Sequence, residues 1–291
     1  MRNRDKLSMS LVCSMCALAA CDSDMLSPDE LGEAAQQLVA PQVLAEAIDD
    51  GGLADAAYAS GDLLLRSFDF MYQSADHHLG GIVALTEVPS GSNLRVGFFD
   101  QNRDDDYFFR ISHYNAVDSR IVRVNRSLDI CVTTGGSCTV SIANTKPAGN
   151  FVFVLTGFEI SYQTGIDHHL DEIGVLENAG QLTVIYNDAS DNKTFLFSVQ
   201  FAWVPSDLFT GLGTVSSAME NGGAQQTTPV TGKGVIRGFH FNFEPYFTSG
   251  EDHHIKRIAV YMLNDRVSVL YHDNNSDDGY DYHVRWGRLE N

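Results

Sequence analysis

One tripeptide, Asp-His-His, occurs three times in this sequence, and the residues around it recur with it. The copies are Asp76-His77-His78, Asp167-His168-His169 and Asp252-His253-His254. An alternating aromatic run precedes each copy, and an apolar run with the same spacing follows it. Self-similarity at a period this long indicates copies of one supersecondary unit. The chain is therefore expected to fold as a threefold repeat.

Four short runs in each copy have strand character. Apolar and polar residues alternate in them with a period of two, which is typical of half-buried β-strands. The copies occupy residues 62–147, 148–231 and 232–291. We predict an all-β domain over residues 62–291, with three repeats of about four antiparallel strands in a prism-like, propeller-like or sandwich-like arrangement.

Residues 21–61 have a different composition, rich in Ala, Leu, Glu, Asp and Gln and poor in β-branched residues. Ser27-Pro28-Asp29-Glu30 is typical of a helix N-terminus, with a serine cap, a proline in the first helical position and acids in the first turn. We predict one helix to about Val39, a break near Pro41 and a second helix that ends before Gly51. This segment is interpreted as a short, partly helical tether.

The N-terminus is typical of a secreted protein. A basic start is followed by an apolar segment of signal-peptide length, which predicts a signal peptide over residues 1–20. Leu18-Ala19-Ala20-Cys21 resembles the lipobox of bacterial lipoproteins. This resemblance implies that Cys21 carries lipid and anchors the protein to a membrane of the bacterial cell envelope, on its periplasmic or surface face. Asp22 resembles an inner-membrane retention signal of enterobacterial lipoproteins, and the choice of membrane stays open.

Cys131 and Cys138 are the two cysteines that follow Cys21. They lie in two β-prone runs on either side of a Gly-Gly pair, a pattern that predicts a hairpin. A disulfide across it is expected in an oxidising compartment. Closing so short a loop contributes about 2–3 kcal/mol.

The charge restricts the partners. There are 19 Lys and Arg residues against 38 Asp and Glu residues, for a formal net charge of −19. Nucleic acid is excluded as a partner because its phosphates would be repelled. Divalent cations and basic partners suit this acidity.

The Asp-His-His copies permit three interpretations. Histidine is a common transition-metal ligand, and a neighbouring carboxylate can orient it, so the nine residues are candidate zinc ligands. They also suit a polar organic ligand. Alternatively they have a structural role, in which the aspartate accepts backbone N–H bonds at a turn and one histidine packs beneath an aromatic ring.

A second candidate site is the acidic loop between the third and fourth strand of each copy. Its first, third and fifth positions carry side-chain oxygens in all three copies: Asp100, Asn102 and Asp104; Asp188, Ser190 and Asn192; and Asp273, Asn275 and Asp277. This spacing resembles the opening of a calcium loop. It is not an EF-hand, since the sixth position is never Gly and the twelfth is never Glu. The cofactor is therefore open, with calcium as the first choice and zinc as the second.

Sequence signals for catalysis are weak. The chain has no Gly-x-Ser-x-Gly, no His-Glu-x-x-His and no phosphate loop. The DHH phosphoesterases share the three letters but set them in an α/β domain. The repeat spacing is similar to that of small β-sandwich lectins, although it identifies no family. We therefore predict a non-catalytic binding module for a carbohydrate or protein ligand, with bound cations. The alternative is a metal-dependent hydrolase that uses the Asp-His-His residues.

Overall fold

The structure is a computed structural model. It describes residues 42–48, 52–57, 62–72, 79–86, 93–100, 107–116, 118–132, 136–162, 170–188, 194–219, 223–229, 233–242, 255–263, 266–273 and 280–290. The predicted signal peptide, the predicted lipidation site Cys21 and the predicted first helix lie outside these residues. None of the described segments forms a helix that is long and apolar enough to cross a membrane.

Within the described residues, eighteen strands, numbered β1 to β18 in chain order, form three six-stranded antiparallel sheets. Sheet A has the spatial order β1 (Gln42–Ile48), β6 (Tyr107–Ala116), β3 (Asp62–Tyr72), β16 (Ile255–Leu263), β17 (Arg266–Asp273) and β14 (Gly223–Pro229). Sheet B has the order β2 (Gly52–Ala57), β5 (Asn93–Asp100), β4 (Leu79–Thr86), β9 (Phe151–Tyr162), β12 (Thr194–Pro205) and β7 (Val122–Val132). Sheet C has the order β13 (Phe209–Met219), β18 (Tyr280–Leu289), β15 (Lys233–Asn242), β10 (Leu170–Asn178), β11 (Gln181–Asp188) and β8 (Ser137–Ser141). The all-β prediction is confirmed.

The four central strands of each sheet come from two sequence copies. The first and fourth strands of the first copy, β3 and β6, are paired in sheet A, while its second and third strands, β4 and β5, are paired in sheet B. The second copy divides in the same way between sheets B and C, and the third between sheets C and A. The sheets are thus six-stranded rather than four-stranded, and none is built from one copy.

The twelve strands predicted from the copies form the four central positions of each sheet, and the outer positions come from the connections and the N-terminal segment. Residues 42–48 form β1 on β6, and residues 52–57 form β2 on β5. The predicted second helix is therefore wrong. A helix of this length is marginal in water, whereas the edges of β6 and β5 satisfy the backbone hydrogen bonds of both strands.

The predicted cysteine hairpin is also wrong. Cys131 lies on β7 opposite Phe195 in sheet B, and Cys138 lies on β8 opposite Val184 in sheet C. Each strand pairs with a longer partner instead of with its neighbour in the chain. The side chain of Cys131 is outside the described side chains, so the disulfide between these two cysteines stays a prediction.

The core is centred on three phenylalanines, one from each sheet. Phe68 on β3, Phe158 on β9 and Phe239 on β15 are all buried. Their ring centroids lie 5.2 Å apart for Phe68 and Phe158, 4.8 Å for Phe68 and Phe239 and 5.1 Å for Phe158 and Phe239. Aromatic rings at these separations attract one another beyond the effect of area burial. The three rings, named here the phenylalanine triad, connect the sheets.

A β-bulge lies immediately before each ring of the triad. The strand register shifts at Arg66, Thr156 and Arg237. The residue that follows is small in each copy: Ser67, Gly157 or Gly238. At Gly157, a Cβ atom would lie 2.5 Å from the carbonyl oxygen of Ala84. This confirms the bulge that the change of alternation near Arg66 predicts. The bulge directs each phenylalanine into the core.

We predict that Phe239→Ala lowers the free energy of unfolding by about 3–5 kcal/mol, because it opens a cavity among the three sheets. Leu212→Ala is the control, since Leu212 is 49 % exposed on β13 and a surface truncation changes stability by about 0.5 kcal/mol or less. Urea denaturation followed by circular dichroism measures both. Equal losses in the two variants would show that the triad does not hold the sheets together.

Candidate functional site

Most of the predicted site residues lie outside the described residues. These are all nine Asp-His-His residues and the third and fifth positions of the acidic loops, namely Asn102, Asp104, Ser190, Asn192, Asn275 and Asp277. The first acids of the loops, Asp100, Asp188 and Asp273, are described by their backbone and end β5, β11 and β17. The site can therefore be located from the strands at its borders.

The first acid of each loop lies across the sheet from the residue that follows the histidine pair. Asp100 is paired with Leu79, Asp188 with Leu170 and Asp273 with Ile255. The Cα atoms of such partners lie about 4.5–5.5 Å apart in an antiparallel ladder. In each copy, the strand end that leads into the acidic loop therefore lies next to the strand end that follows the Asp-His-His segment in the chain.

The other ends of the two segments are also neighbours. Tyr72, before the first Asp-His-His, is paired with Tyr107, which follows the acidic loop, and Tyr162 is paired with Phe195 in the second copy. Both segments of a copy thus connect the same two pairs of strand ends, one in each of two sheets. We call them the paired connections: residues 73–78 with 101–106, 163–169 with 189–193, and 243–254 with 274–279.

A polar row crosses sheet C, and the sequence did not predict it. The Arg285 guanidinium donates from Nε to Nε2 of His283 over 3.2 Å, and Nδ1 of His283 lies 2.6 Å from Oγ of Ser216. A guanidinium has no acceptor, so Nε2 must accept and the proton of the neutral ring is on Nδ1. Burial lowers the pKa of His283, as do the charges of Arg285 and His240. Nδ1–H of His283 therefore donates to Oγ of Ser216.

This direction does not activate a nucleophile. A catalytic serine needs a histidine that accepts its proton, whereas His283 donates to Ser216. The hydroxyl of Ser216, which is exposed, can in turn donate its hydrogen to an acceptor. The row is suited to binding rather than to acyl transfer.

His240 lies next in this row, opposite His283 on β15. Its Nε2 atom is 3.5 Å from Oε1 of Glu172 and has no hydrogen-bond partner among the described residues. Gly174 makes room for it, since a Cβ atom there would lie 3.1 Å from the Cβ atom of His240. The pair is a polar contact with one unsatisfied nitrogen.

Sheet A has a fully paired cluster at the corresponding position. Arg257 donates to both carboxylate oxygens of Asp69 over 2.8 and 2.9 Å, and to the hydroxyl of Tyr261 over 2.8 Å. Tyr261 donates to Asp69 in turn. Burial raises the pKa of the Tyr261 hydroxyl well above its ordinary value, and the charge of Asp69 raises it further. The hydroxyl stays protonated, and the cluster is structural.

The described residues contain no group of three or more His, Cys, Asp or Glu side chains that could hold a metal ion. No protein-family model matches the chain, and no curated protein matches it either. The features of the described residues that bear on function are the register at the paired connections and the polar row.

His113 joins two sheets from within the core. It is fully buried on β6, and its Nε2 atom lies 2.9 Å from the carbonyl oxygen of Thr156 on β9. Burial lowers the pKa of His113 to about 4, the bond to Thr156 opposes this shift, and the charge of Arg123 adds to it. The ring is neutral and donates to that carbonyl.

We predict that His113 makes the protein sensitive to acid. An unfolded histidine titrates near 6.5, so between pH 6.5 and about 4 the unfolded chain binds a proton that the folded chain does not. The contribution of His113 to the free energy of unfolding is therefore complete above pH 6.5, and it falls by about 3 kcal/mol as the pH drops through this window. Urea denaturation across the window measures it.

Two variants isolate this effect. His113→Gln keeps an N–H donor for Thr156 without titrating, so it should flatten the pH dependence. His113→Phe places there the residue that β12 has at the matching position, Phe201. Its free energy of unfolding should also be independent of pH in this window, but lower than that of His113→Gln at every pH, because the carbonyl of Thr156 loses its hydrogen-bond partner. A variant that keeps the full acid dependence would assign the proton to another group.

Proposed function

We propose that the protein is a non-catalytic binding module of the bacterial cell envelope that holds cations at its three paired connections. The observation that carries this proposal is the register that sets each first acid, Asp100, Asp188 and Asp273, beside the residue after a histidine pair. The same pairing recurs at all three paired connections, as expected if each of them binds the same kind of ligand.

The three copies are proposed to form one pseudo-threefold unit. Each sheet supports this with the same order: an edge strand, a fourth strand and a first strand of one copy, then a second and a third strand of another copy and a second edge strand. The near-equal ring separations of the phenylalanine triad also support it. The three paired connections would then be equivalent binding sites.

Calcium is the proposed ion. It takes six to eight oxygen ligands, mostly carboxylates, carbonyls and water, and the acidic loops are rich in such groups. The formal net charge of −19 favours any divalent cation at this surface. The histidines would orient the neighbouring aspartates or contact the ligand.

Carbohydrate is the proposed ligand class. The similarity in spacing to small β-sandwich lectins supports it, as does the outward hydroxyl donor of Ser216. A sugar presents acceptors and donors in a geometry that such polar groups can recognise. The proposed alternative, a hydrolase with zinc on the Asp-His-His residues, makes the opposite prediction about the metal.

We predict that calcium raises the melting temperature of the full chain by several degrees and that chelation reverses the change, because a ligand that binds only the folded state stabilises it. Differential scanning fluorimetry and elemental analysis measure stability and content. Asp100→Ala should remove one calcium ion per chain. Asp207→Ala is the control, since Asp207 is an exposed acid away from the paired connections.

Other outcomes decide between the proposals. Stoichiometric zinc that is lost on His→Ala substitution of all six histidines in the tripeptides would support the hydrolase. If chelators change neither metal content nor melting, both metal proposals fail and the tripeptides are structural. A glycan array that shows no binding would remove the carbohydrate ligand while leaving the cations.

We also propose the lipid anchor and the disulfide between Cys131 and Cys138. A disulfide here would connect sheets B and C, since β7 and β8 lie in different sheets. Intact mass of protein purified from bacterial membranes should show loss of residues 1–20, added acyl chains and two fewer hydrogens until reduction. Cys21→Ser should remain unacylated. A full-length mass without lipid would contradict the anchor.

A further inference from the structure

The residue that follows each ring of the phenylalanine triad is polar and points away from the triad, because neighbouring residues on a strand point to opposite sides. These residues are Asp69 in sheet A, Glu159 in sheet B and His240 in sheet C. Asp69 accepts two hydrogen bonds from Arg257. Burial raises the pKa of Glu159, and the charge of Arg95 opposes the shift. Sheets A and B thus have a carboxylate near an arginine at this position, whereas sheet C has a histidine.

Sheet C nevertheless has two arginines on this outer face. Arg285 alternates with the buried Val284 on β18, and Arg237 is the bulge residue of β15. A Cβ atom on Gly287 would lie 3.3 Å from Cδ of Arg237, and residues two apart on a strand, such as Arg285 and Gly287, share one face. The charge of Arg285 also acts on Arg237. The two guanidinium groups are therefore neighbours.

Both guanidinium groups are held in place by uncharged acceptors. Arg285 donates from Nε to Nε2 of His283 over 3.2 Å and from Nη1 to the carbonyl oxygen of Glu177. Arg237 donates from Nε to the carbonyl oxygen of Phe153 over 3.3 Å. Within the described part of the chain, Nη2 of Arg285 and both terminal nitrogens of Arg237 have no partner. Both side chains are only partly buried, so a ligand can reach these donors.

No carboxylate of the described residues forms an ion pair with either arginine. Glu177 is the acid whose charge acts on Arg237, but its carboxylate accepts a hydrogen bond from the backbone of Gly180 over 2.8 Å. Burial lowers the pKa of Arg237, the charge of Glu177 opposes this shift, and the charge of Arg285 adds to it. Arginine stays protonated in proteins, so two positive charges remain on this face.

We propose that Arg237 and Arg285 form a binding site for an oxyanion group, namely a carboxylate, a phosphate or a sulfate, on the outer face of sheet C. The N–H donors of a guanidinium match two oxygens of such a group. The hydrogen bonds to His283 and to the backbone of Glu177 hold Arg285 in one orientation, so little side-chain entropy is lost on binding. The site does not depend on cations at the paired connections.

The formal net charge of −19 restricts the size of the ligand. Salt screens charges that are more than about 8 Å apart at physiological ionic strength, so the two arginines dominate the field close to them. A polyanion would also meet the acids elsewhere on the surface and be repelled. A small anion contacts the arginines alone. We therefore expect a ligand with one oxyanion group, either a free ion or an acidic sugar.

Isothermal titration calorimetry of the full chain in metal-free buffer tests the proposal with inorganic phosphate, glucuronate and glucose as probes. Phosphate and glucuronate should bind, and glucose should bind at least tenfold more weakly than glucuronate. Tighter binding of glucuronate than of phosphate would identify an acidic sugar as the ligand, and the reverse order would identify a free ion. Both orders support an oxyanion site.

Substitutions locate the site. The double variant Arg237→Gln and Arg285→Gln should weaken binding of both anions by about tenfold or more, because it removes charge-assisted hydrogen bonds. Arg120→Gln is the matched control, since Arg120 is exposed and already paired with Asp118 and Asp207. It should bind the anions as the wild type does. Unchanged circular dichroism would show that the variants are folded.

A protection experiment on the wild type avoids substitution. Phenylglyoxal modifies accessible arginines, and mass spectrometry locates the modified residues. Saturating phosphate should protect Arg237 and Arg285 but not Arg120. The proposal is overturned if neither anion binds, if glucose binds as tightly as glucuronate, if binding survives the double substitution, or if phosphate gives no protection. Since metal ions are absent throughout, these outcomes are separate from any result on calcium.

Discussion

The structure depends on the packing of three phenylalanine rings that arrive from three different sheets. Each ring follows a β-bulge, and the bulge changes which residues of the strand face inward. Without the shift, Leu65 and Phe68 could not both face the core, because residues three apart on a regular strand point to opposite sides. The bulges thus place the triad in the core, and the triad packs the three sheets against one another.

The exchange of strands between copies explains why the copies act as a set. Every pair of copies shares one sheet: the first and third share sheet A, the first and second share sheet B, and the second and third share sheet C. Removing one copy would leave two sheets without half of their central strands. Isolated pairs of strands are marginal in water, so the stability of each copy depends on the other two.

The central strands were predictable from the sequence because burial on one face imposes an alternation of apolar and polar residues. The three sequence copies made this alternation unambiguous. The edges were not. Residues 42–48 have helix-forming composition, yet they form β1, because pairing with β6 outweighs local propensity. The polar row on sheet C was hidden for a different reason. Glu172 belongs to the second copy while His240 and His283 belong to the third, and their proximity depends on strand exchange.

Strand exchange also determines how an ion bound at the paired connections would affect the stability of the domain. The paired connections of one copy join two sheets, and each of those sheets contains strands of a different second copy. An ion that bridges the two segments would therefore hold together strand ends from two sheets rather than close one local loop. Binding free energy at such a position stabilises the whole domain, because neither sheet can separate without breaking the paired connections. If the paired connections bind an ion as proposed, few polar residues there would have a large effect on the fold, which would be a physical reason for the same tripeptide at all three.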